Sequence, residues 1–233
     1  PQAVNVDSDF YTWGFEMADA IGNEIGEGNV LVIEGLAGAP IVADQALGRN
    51  AALANYPGLN VVATVNGDWN PTTTKTVVLQ TLATNPAEID AVWTSGSEAR
   101  LVTEAFVEAG RDVPLVTGSI TGDNLGYWNE NPDGYRFTGH AVLPVPAAQS
   151  GFRVAMRILQ GQEPKLNTML VPFPPVSQDQ LGDWFSECFT SDSGSLFPVA
   201  ASDPYPDELL DAYFTNPGPT PPYDYATTPD PCG

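Results

Sequence analysis

The sequence predicts an α/β fold, a parallel sheet with helices on both faces. Three observations carry this. Short apolar runs recur at residues 29–33, 59–65, 89–93 and 113–116, each about the length of a buried strand. Three of them are followed by roughly 10–16 residues of helical pattern. Gly and Pro punctuate the joins, at Gly26, Gly28, Pro57-Gly58 and Pro86. Strands alternating with helices at this spacing build a parallel sheet. Such sheets hold ligands at the carboxyl ends of their strands, which directs attention to the loops at 35–40, 66–70, 94–98 and 117–124.

Taken in order, residues 3–6 read as a strand that ends in Asp7-Ser8-Asp9. Trp13, Met17, Ile21 and Ile25 then recur every fourth position, a helical stripe that Gly26 and Gly28 close. Residues 29–33 are almost continuously apolar, the mark of a strand buried on both faces. The tight loop Gly35-Leu36-Ala37-Gly38-Ala39-Pro40 leads to a helix over 41–55. After the third strand, the loop Asn66-Gly67-Asp68-Trp69-Asn70 runs into Pro71, which suits the first position of a helix. A fourth strand at 89–93, a helix over 98–110 and a fifth strand at 113–116 complete the repeat. Beyond Val116 the pattern is expected to break: an extended segment at 134–143, a helix over 146–161 with Val154, Ile158 and Leu159 inward, and a last strand at 168–173. From Pro174 the chain is rich in Pro, Asp, Ser and Gly and reads as mostly irregular, apart from a short amphipathic helix at 207–214.

Composition narrows the function. The chain has 233 residues and a formal net charge of −21, from 29 acidic and 8 basic residues. That excludes a nucleic-acid surface, which needs clustered Lys and Arg, and disfavours an anionic membrane. The acidity chiefly keeps the protein soluble. A hydrophobic share of 42% is enough for a buried core. No run of 18 apolar residues suggests a spanning helix. An opening on Pro1 without a basic-then-apolar leader reads as a processing or fragment boundary. The two cysteines, Cys188 and Cys232, have no neighbouring His and so suggest a disulfide rather than a zinc site. A bond there would place the protein outside the reducing cytosol; two unpaired buried thiols are the alternative.

Few residues suggest chemistry. Gly35-x-x-Gly38 follows a strand and precedes a helix, but it is neither a dinucleotide fingerprint nor a P-loop. His140 is the only histidine and has no G-x-S-x-G nucleophile to serve. Glu34, Asp68 and Glu98 fall at strand ends; Glu98 also suits the first turn of a helix, and Asp68 and Glu98 are plausible ligand acceptors. Trp69 and Trp93 are the sharper signal. A flat aromatic at a polar crevice suits a sugar ring, whose C–H face packs on the π-face. Trp69 is flanked by Asp68 and Asn70, whereas Trp93 lies within an apolar run and suits core packing equally well. No enzyme, cofactor or metal is expected.

At these residues the sequence resembles the type I periplasmic binding protein family, the ribose/galactose-type solute receptors of ABC transporters. Val30-Leu31-Val32-Ile33-Glu34-Gly35-Leu36-Ala37-Gly38 resembles the family's strand and G-x-x-G loop. Gly48-Arg49 keeps the glycine of a Gly-Phe pair but not its aromatic. Asn85-Pro86-Ala87-Glu88-Ile89-Asp90-Ala91-Val92, Val113-Pro114-Leu115-Val116-Thr117-Gly118 and Ile158-Leu159-Gln160-Gly161-Gln162-Glu163-Pro164 are similar to further family segments. The resemblance covers residues 3 to 175. It implies two lobes joined by three crossings, one lobe being incomplete in this chain. Residues 1–142 would be a complete α/β lobe with the first hinge at its start. Residues 143–175 would be the returning segment of the other lobe, and 176–233 a Pro-rich extension. The first half of that other lobe, on the order of 100 residues, would lie elsewhere, or a separate chain would supply it.

The resemblance also implies a site. Trp69 falls at the stacking position, Gln45 where sugar-binding members often carry Arg, and Leu36 at an apolar lining position. Gly96, with Ser97 and Glu98 after it, falls where ribose-type members carry Asn; Ser119 falls where an Asp meets ring hydroxyls. Asp9 lies at the first crossing, and His140 or Val142 at the hinge strand's polar position. The implied function is an extracytoplasmic receptor, periplasmic, secreted or lipid-anchored, that binds a sugar-like molecule by hinge closure and delivers it to an ABC transporter permease. The rival is the ligand-sensing domain of a signalling or transcription-regulatory protein.

Overall fold

The computed structural model describes residues 3–141, 144–194, 196, 198, 205–219 and 232, the side chains of 144–149 excepted. The expected hinge residue Val142, its neighbour Leu143 and most of the proline-rich stretch 216–233 lie outside the described residues. The chain runs β1 (Asn5–Ser8), α1 (Phe10–Ile25), β2 (Glu27–Glu34), α2 (Pro40–Leu53), β3 (Gly58–Asn66), α3 (Pro71–Thr84), β4 (Ala91–Thr94) and α4 (Ala99–Glu108). It continues through β5 (Leu115–Ser119), α5 (Gly122–Glu130), β6 (Phe137–His140), α6 (Pro144–Leu159), β7 (Thr168–Val171) and β8 (Pro175–Val176). A short 3₁₀ turn, α7 (Leu181–Trp184) and α8 (Asp207–Asp211) follow.

Alternation along the central strands sets the layers. Val30 and Val32 of β2, with Ala91 and Trp93 of β4, pack against Trp13, Met17, Ala18 and Ile21 of α1. Leu31 and Ile33, with Val92 and Val116, pack on the opposite face against Val78, Val102, Phe106 and Leu125. Helices thus cover both faces, as the double burial of 29–33 demands. The sheet order is β3-β2-β4-β5-β6-β8, parallel except for β8, which pairs antiparallel with β6.

The repeat does not break after Val116. β5 lies two residues later than expected, because Pro114 has no N–H for a central ladder. It is followed by α5 and then β6, one more helix and parallel strand. The sequence hides α5 because its nine residues, GDNLGYWNE, are mostly polar and include two glycines.

A second, smaller body holds β1 and β7 as a two-stranded parallel sheet, with α6. Its core comprises Val154, Met169, Val171, Tyr205, Leu210 and Phe214. Ile158 and Leu159 are not inward as expected: both are exposed, Leu159 at 80%. The buried face of α6 is instead marked by Arg153 and Arg157, which pair with Asp207 at 2.6 and 2.9 Å. The chain after Pro174 is also more ordered than its composition suggests. Val176, Leu181 and Phe189 enter the main core, while Tyr205 and α8 enter the smaller one.

Cys188 and Cys232 form a disulfide, their Cα atoms 5.4 Å apart. Cys188 adjoins Phe189 of the main core, so the bond ties the end of the chain to the large sheet. Closing a 44-residue separation restricts the unfolded chain by about 4 kcal/mol in the chain-entropy model. Reduction should therefore lower the melting temperature by on the order of 10 °C, read by circular dichroism with and without dithiothreitol. An unchanged melt would show that the bond contributes little.

Candidate ligand-binding site

The parallel register brings the ends of β2, β3, β4 and β5 to one edge of the sheet. The turn after β3 is the most distinctive feature there. Gly67 N–H donates to Glu34 O at 2.8 Å and Asn70 N–H to Gly67 O at 2.9 Å. Between them Asp68 and Trp69 adopt φ of 56° and 51°. Left-handed backbone costs a residue with a side chain roughly 1–2 kcal/mol, and here two adjacent residues bear it. Asn70 then caps α3, its side chain accepting from Thr73 N–H at 3.1 Å, with Pro71 at the first helical position.

This turn lays the Trp69 indole across the neighbouring strand ends. Its Nε1–H donates to Ser95 Oγ at 2.9 Å and lies 3.3 Å from Ser95 O. The ring rests on Gly35, where a Cβ would lie 2.1 Å from Trp69 Cε2. Gly96 also abuts it, at 2.9 Å from Cδ1 by the same construction. Both glycines are there for close approach. Trp69 remains 38% exposed.

Gln45, on α2, meets the same loop: its Nε2 donates to Ser95 O at 3.1 Å, while Oε1 is buried with no hydrogen-bond partner. Glu98 precedes α4 and is 5% exposed, and its Oε2 is likewise unpartnered. Burial raises the Glu98 pKa above the ordinary 4.5; its own backbone N–H opposes the shift, and the nearby Asp123 charge adds to it. A methyl placed on Gly96 would touch both this carboxylate, at 2.7 Å from Oε2, and the indole.

Ser119 N–H donates to Gly96 O at 2.8 Å, which ties the ends of β4 and β5 together. Asn124 locks the same corner. Its Nδ2 donates to Ser97 O at 3.1 Å and Ser119 O at 2.9 Å, and its Oδ1 accepts from Arg100 N–H and the Tyr135 hydroxyl. Leu36 is exposed on the Gly35 loop, and Asp68 on the Trp69 turn.

The structure therefore gathers Trp69, Gln45, Gly96, Ser97, Glu98 and Ser119, with Leu36 and Asp68 on the adjoining loops. Three expected ligands fall elsewhere. Trp93 is 1% exposed; strand alternation turns it inward, against Trp13 at 5.7 Å and beneath the Arg49 guanidinium at 4.9 Å. The Asp9 carboxylate caps α1, accepting from Thr12 N–H at 2.9 Å and Thr12 Oγ1 at 2.8 Å. His140 turns towards α1, its Nε2 2.6 Å from Glu16 Oε2, and lines a separate lateral cleft of about 250 Å³. Ser95, Gly35 and Asn124 lie in the loops to which the strand pattern directs attention, but nothing in the sequence singles them out as site residues. Among the described residues no group of His, Cys, Asp and Glu could hold a metal ion.

This constellation of strand-end loops stands within residues 1–163, which match the family model of the periplasmic binding protein domain. The chain belongs to the periplasmic binding protein family. It is similar to an ABC transporter solute-binding protein from Thermobispora bispora: 27% identity and a TM-score of 0.68, over 79% of this chain and 56% of that one. A periplasmic solute-binding protein from Actinobacillus succinogenes with bound D-allose matches at 22% identity and a TM-score of 0.67, over 78% and 64%. The fructose-binding periplasmic domain of a hybrid two-component system matches at 19% and 0.65, over 78% and 60%. The chain thus spans less than two thirds of the length of these solved binding proteins. No curated protein matches it.

Burial of Glu98 has a pH signature. A carboxyl whose folded pKa is raised costs nothing below its unfolded pKa and destabilises the fold increasingly as pH rises through the carboxylate range. Glu98→Gln should therefore stabilise the protein at pH 7 by about 1 kcal/mol, a gain that shrinks to nothing near pH 4. Denaturant melts of both proteins across pH 4–7 check this; a pH-independent difference would contradict it.

Proposed function

We propose that the protein is an extracytoplasmic solute receptor that closes around a sugar-like small molecule and delivers it to an ABC importer. The observation that carries this reading is Trp69. Its indole lies at the strand ends, held by Ser95 and two glycines, with part of its surface open. Such a surface suits the C–H face of a sugar ring. The allose-bound relative supports a sugar-like ligand. The family, together with the disulfide, supports a place outside the cytosol.

The chain passes between the large sheet and the smaller body between β1 and α1, between β6 and α6, between β7 and β8, and again between Phe189 and Tyr205. Hinge closure of two lobes about these passages is the proposed mechanism. A two-stranded sheet is marginal on its own. We take a further stretch of the natural protein, or a separate chain, to complete the smaller lobe and supply the opposite wall of the pocket. No catalytic step is assigned. The likeness to a two-component sensor domain favours a second reading, in which the same closure signals rather than transports. Co-purification of the protein with a permease, as against a membrane kinase, separates the two.

Trp69→Ala should abolish ligand-dependent tryptophan quenching in the complete protein and weaken binding about tenfold or more. Gly35→Ala, whose methyl collides with the ring, should weaken binding in the same direction. Unchanged affinity in the Trp69 variant, measured by calorimetry, would remove Trp69 from the site.

A further inference from the structure

After α7 the chain leaves the main body, fastens to the smaller one and is bonded back to the first. Its first anchor is on α5. Phe189 is buried in the main core. Gly126 lies so close beneath Thr190 that a Cβ there would sit 2.1 Å from the Thr190 carbonyl carbon. Gly122 N–H donates to Leu196 O at 2.6 Å, and Asp123 N–H to Gly194 O at 3.1 Å. These donors open α5 just past the end of β5, so the chain departs from the same sheet edge as the crevice.

The second anchor is on α6 and the loop after it. Tyr205, Leu210 and Phe214 enter the smaller core. Asp207 and Asp211 pair with Arg157, which is fully buried. Detaching α8 would strand that charge away from water. Lys165 N–H donates to Tyr213 O at 2.8 Å and Gly218 N–H to Gln162 Oε1 at 3.0 Å, which extends the attachment to Gly218. Cys232 then returns to Cys188, beside the first anchor.

We infer that the segment from Cys188 to Cys232 is a disulfide-closed strap that limits how far the two bodies open. The inference rests on the hinge reading above and adds a stop to it. The passages at β1–α1, β6–α6 and β7–β8 let the bodies rotate about them. A further link, fixed to α5 rather than to those passages, must change its span as the bodies rotate, so its reach caps the rotation. Tyr205 follows Leu196 by nine positions, and such a limb reaches about 30 Å at full extension. Cys232 follows Gly218 by 14 positions, a reach of about 50 Å. The shorter, outgoing limb is therefore the stop. The bonded return limb has another part. A tail with a free end frays from that end, whereas this one is held on both sides of α8 and stays seated when the stop is loaded.

Double electron–electron resonance on the protein at its natural full length tests this without a ligand. Spin labels are placed at Val107→Cys in α4 and Leu159→Cys in α6, both exposed, while Cys188 and Cys232 stay bonded to each other. A flexible Gly-Ser insert of about ten residues after Ser202 gives the outgoing limb roughly 17 Å of slack and touches neither anchor. It should add a population at longer distance. Cys188→Ser with Cys232→Ser should do the same and speed amide exchange over residues 207–211 about tenfold or more, with circular dichroism confirming the fold of each variant. A broad distribution that is identical with and without the insert overturns the strap and leaves the hinge standing. Exchange at the parent rate in the cysteine variant overturns the role of the bond. One narrow distance shared by the parent and both variants overturns the strap and the hinge reading together, while Trp69 titration still tests the solute site by itself.

Discussion

Burial of β2 on both faces is the constraint on which the rest depends. Val30 and Val32 must meet one layer of helices while Leu31 and Ile33 meet another. An antiparallel neighbour could be reached by a tight hairpin. Parallel neighbours need crossovers, and the crossovers supply the two layers. The parallel register then aligns Glu34 with Asn66, and Ile33 with Thr94. Every β-to-α loop emerges at the same edge as a result. That alignment, with the turn at Asp68-Trp69, brings Trp69 to the loop that carries Ser95 and Glu98.

Much of this was legible because the central strands are apolar without interruption and Pro or Gly closes the helices. Trp69 was legible for the opposite reason: an aromatic between Asp68 and Asn70, just past a strand, has no core to enter. Trp93 shows where the same reasoning ended. Strand parity with the buried Val92 places it opposite Val92 on the sheet, but two-sided burial removes the polar alternation that would show which side is open. α5 was hidden because it is short and mostly polar, and it is held by contacts such as those of Leu125 and Asn124. The buried face of α6 was misread because Arg157, an ion-paired cation, occupies a core position that a hydrophobic pattern cannot mark. Ser95 was marked only by its loop, since a serine becomes a hub only once its partners, the Trp69 and Gln45 N–H groups, arrive.

The crevice is locally costly in several independent ways. Two residues in succession hold left-handed backbone, and two buried acceptors lack donors, each such acceptor costing on the order of 1–3 kcal/mol. Local rules are commonly broken at functional sites and compensated elsewhere. Here the compensation is visible: a core on each face of the sheet, and a tail fastened by a disulfide. Gly35 and Gly96 are the means by which the cost stays local, because a side chain at either would push the indole away rather than let the turn close.

The acidity of the chain then divides into two parts. Most of the 29 acidic residues are solvated or face the few bases, and for those charge is a matter of solubility. Glu98 is different because it is excluded from water, near Asp123, without a base of its own. With only 8 basic residues committed to ion pairs and carbonyls, the protein cannot neutralise it by a small rearrangement without exposing another buried charge. Freeing Arg100 would leave Asp123 and Glu104 uncompensated, and freeing Arg49 would uncover Glu34 and the face of Trp93. A carboxyl so placed meets its burial by a raised pKa, which keeps it protonated to higher pH than an exposed glutamate.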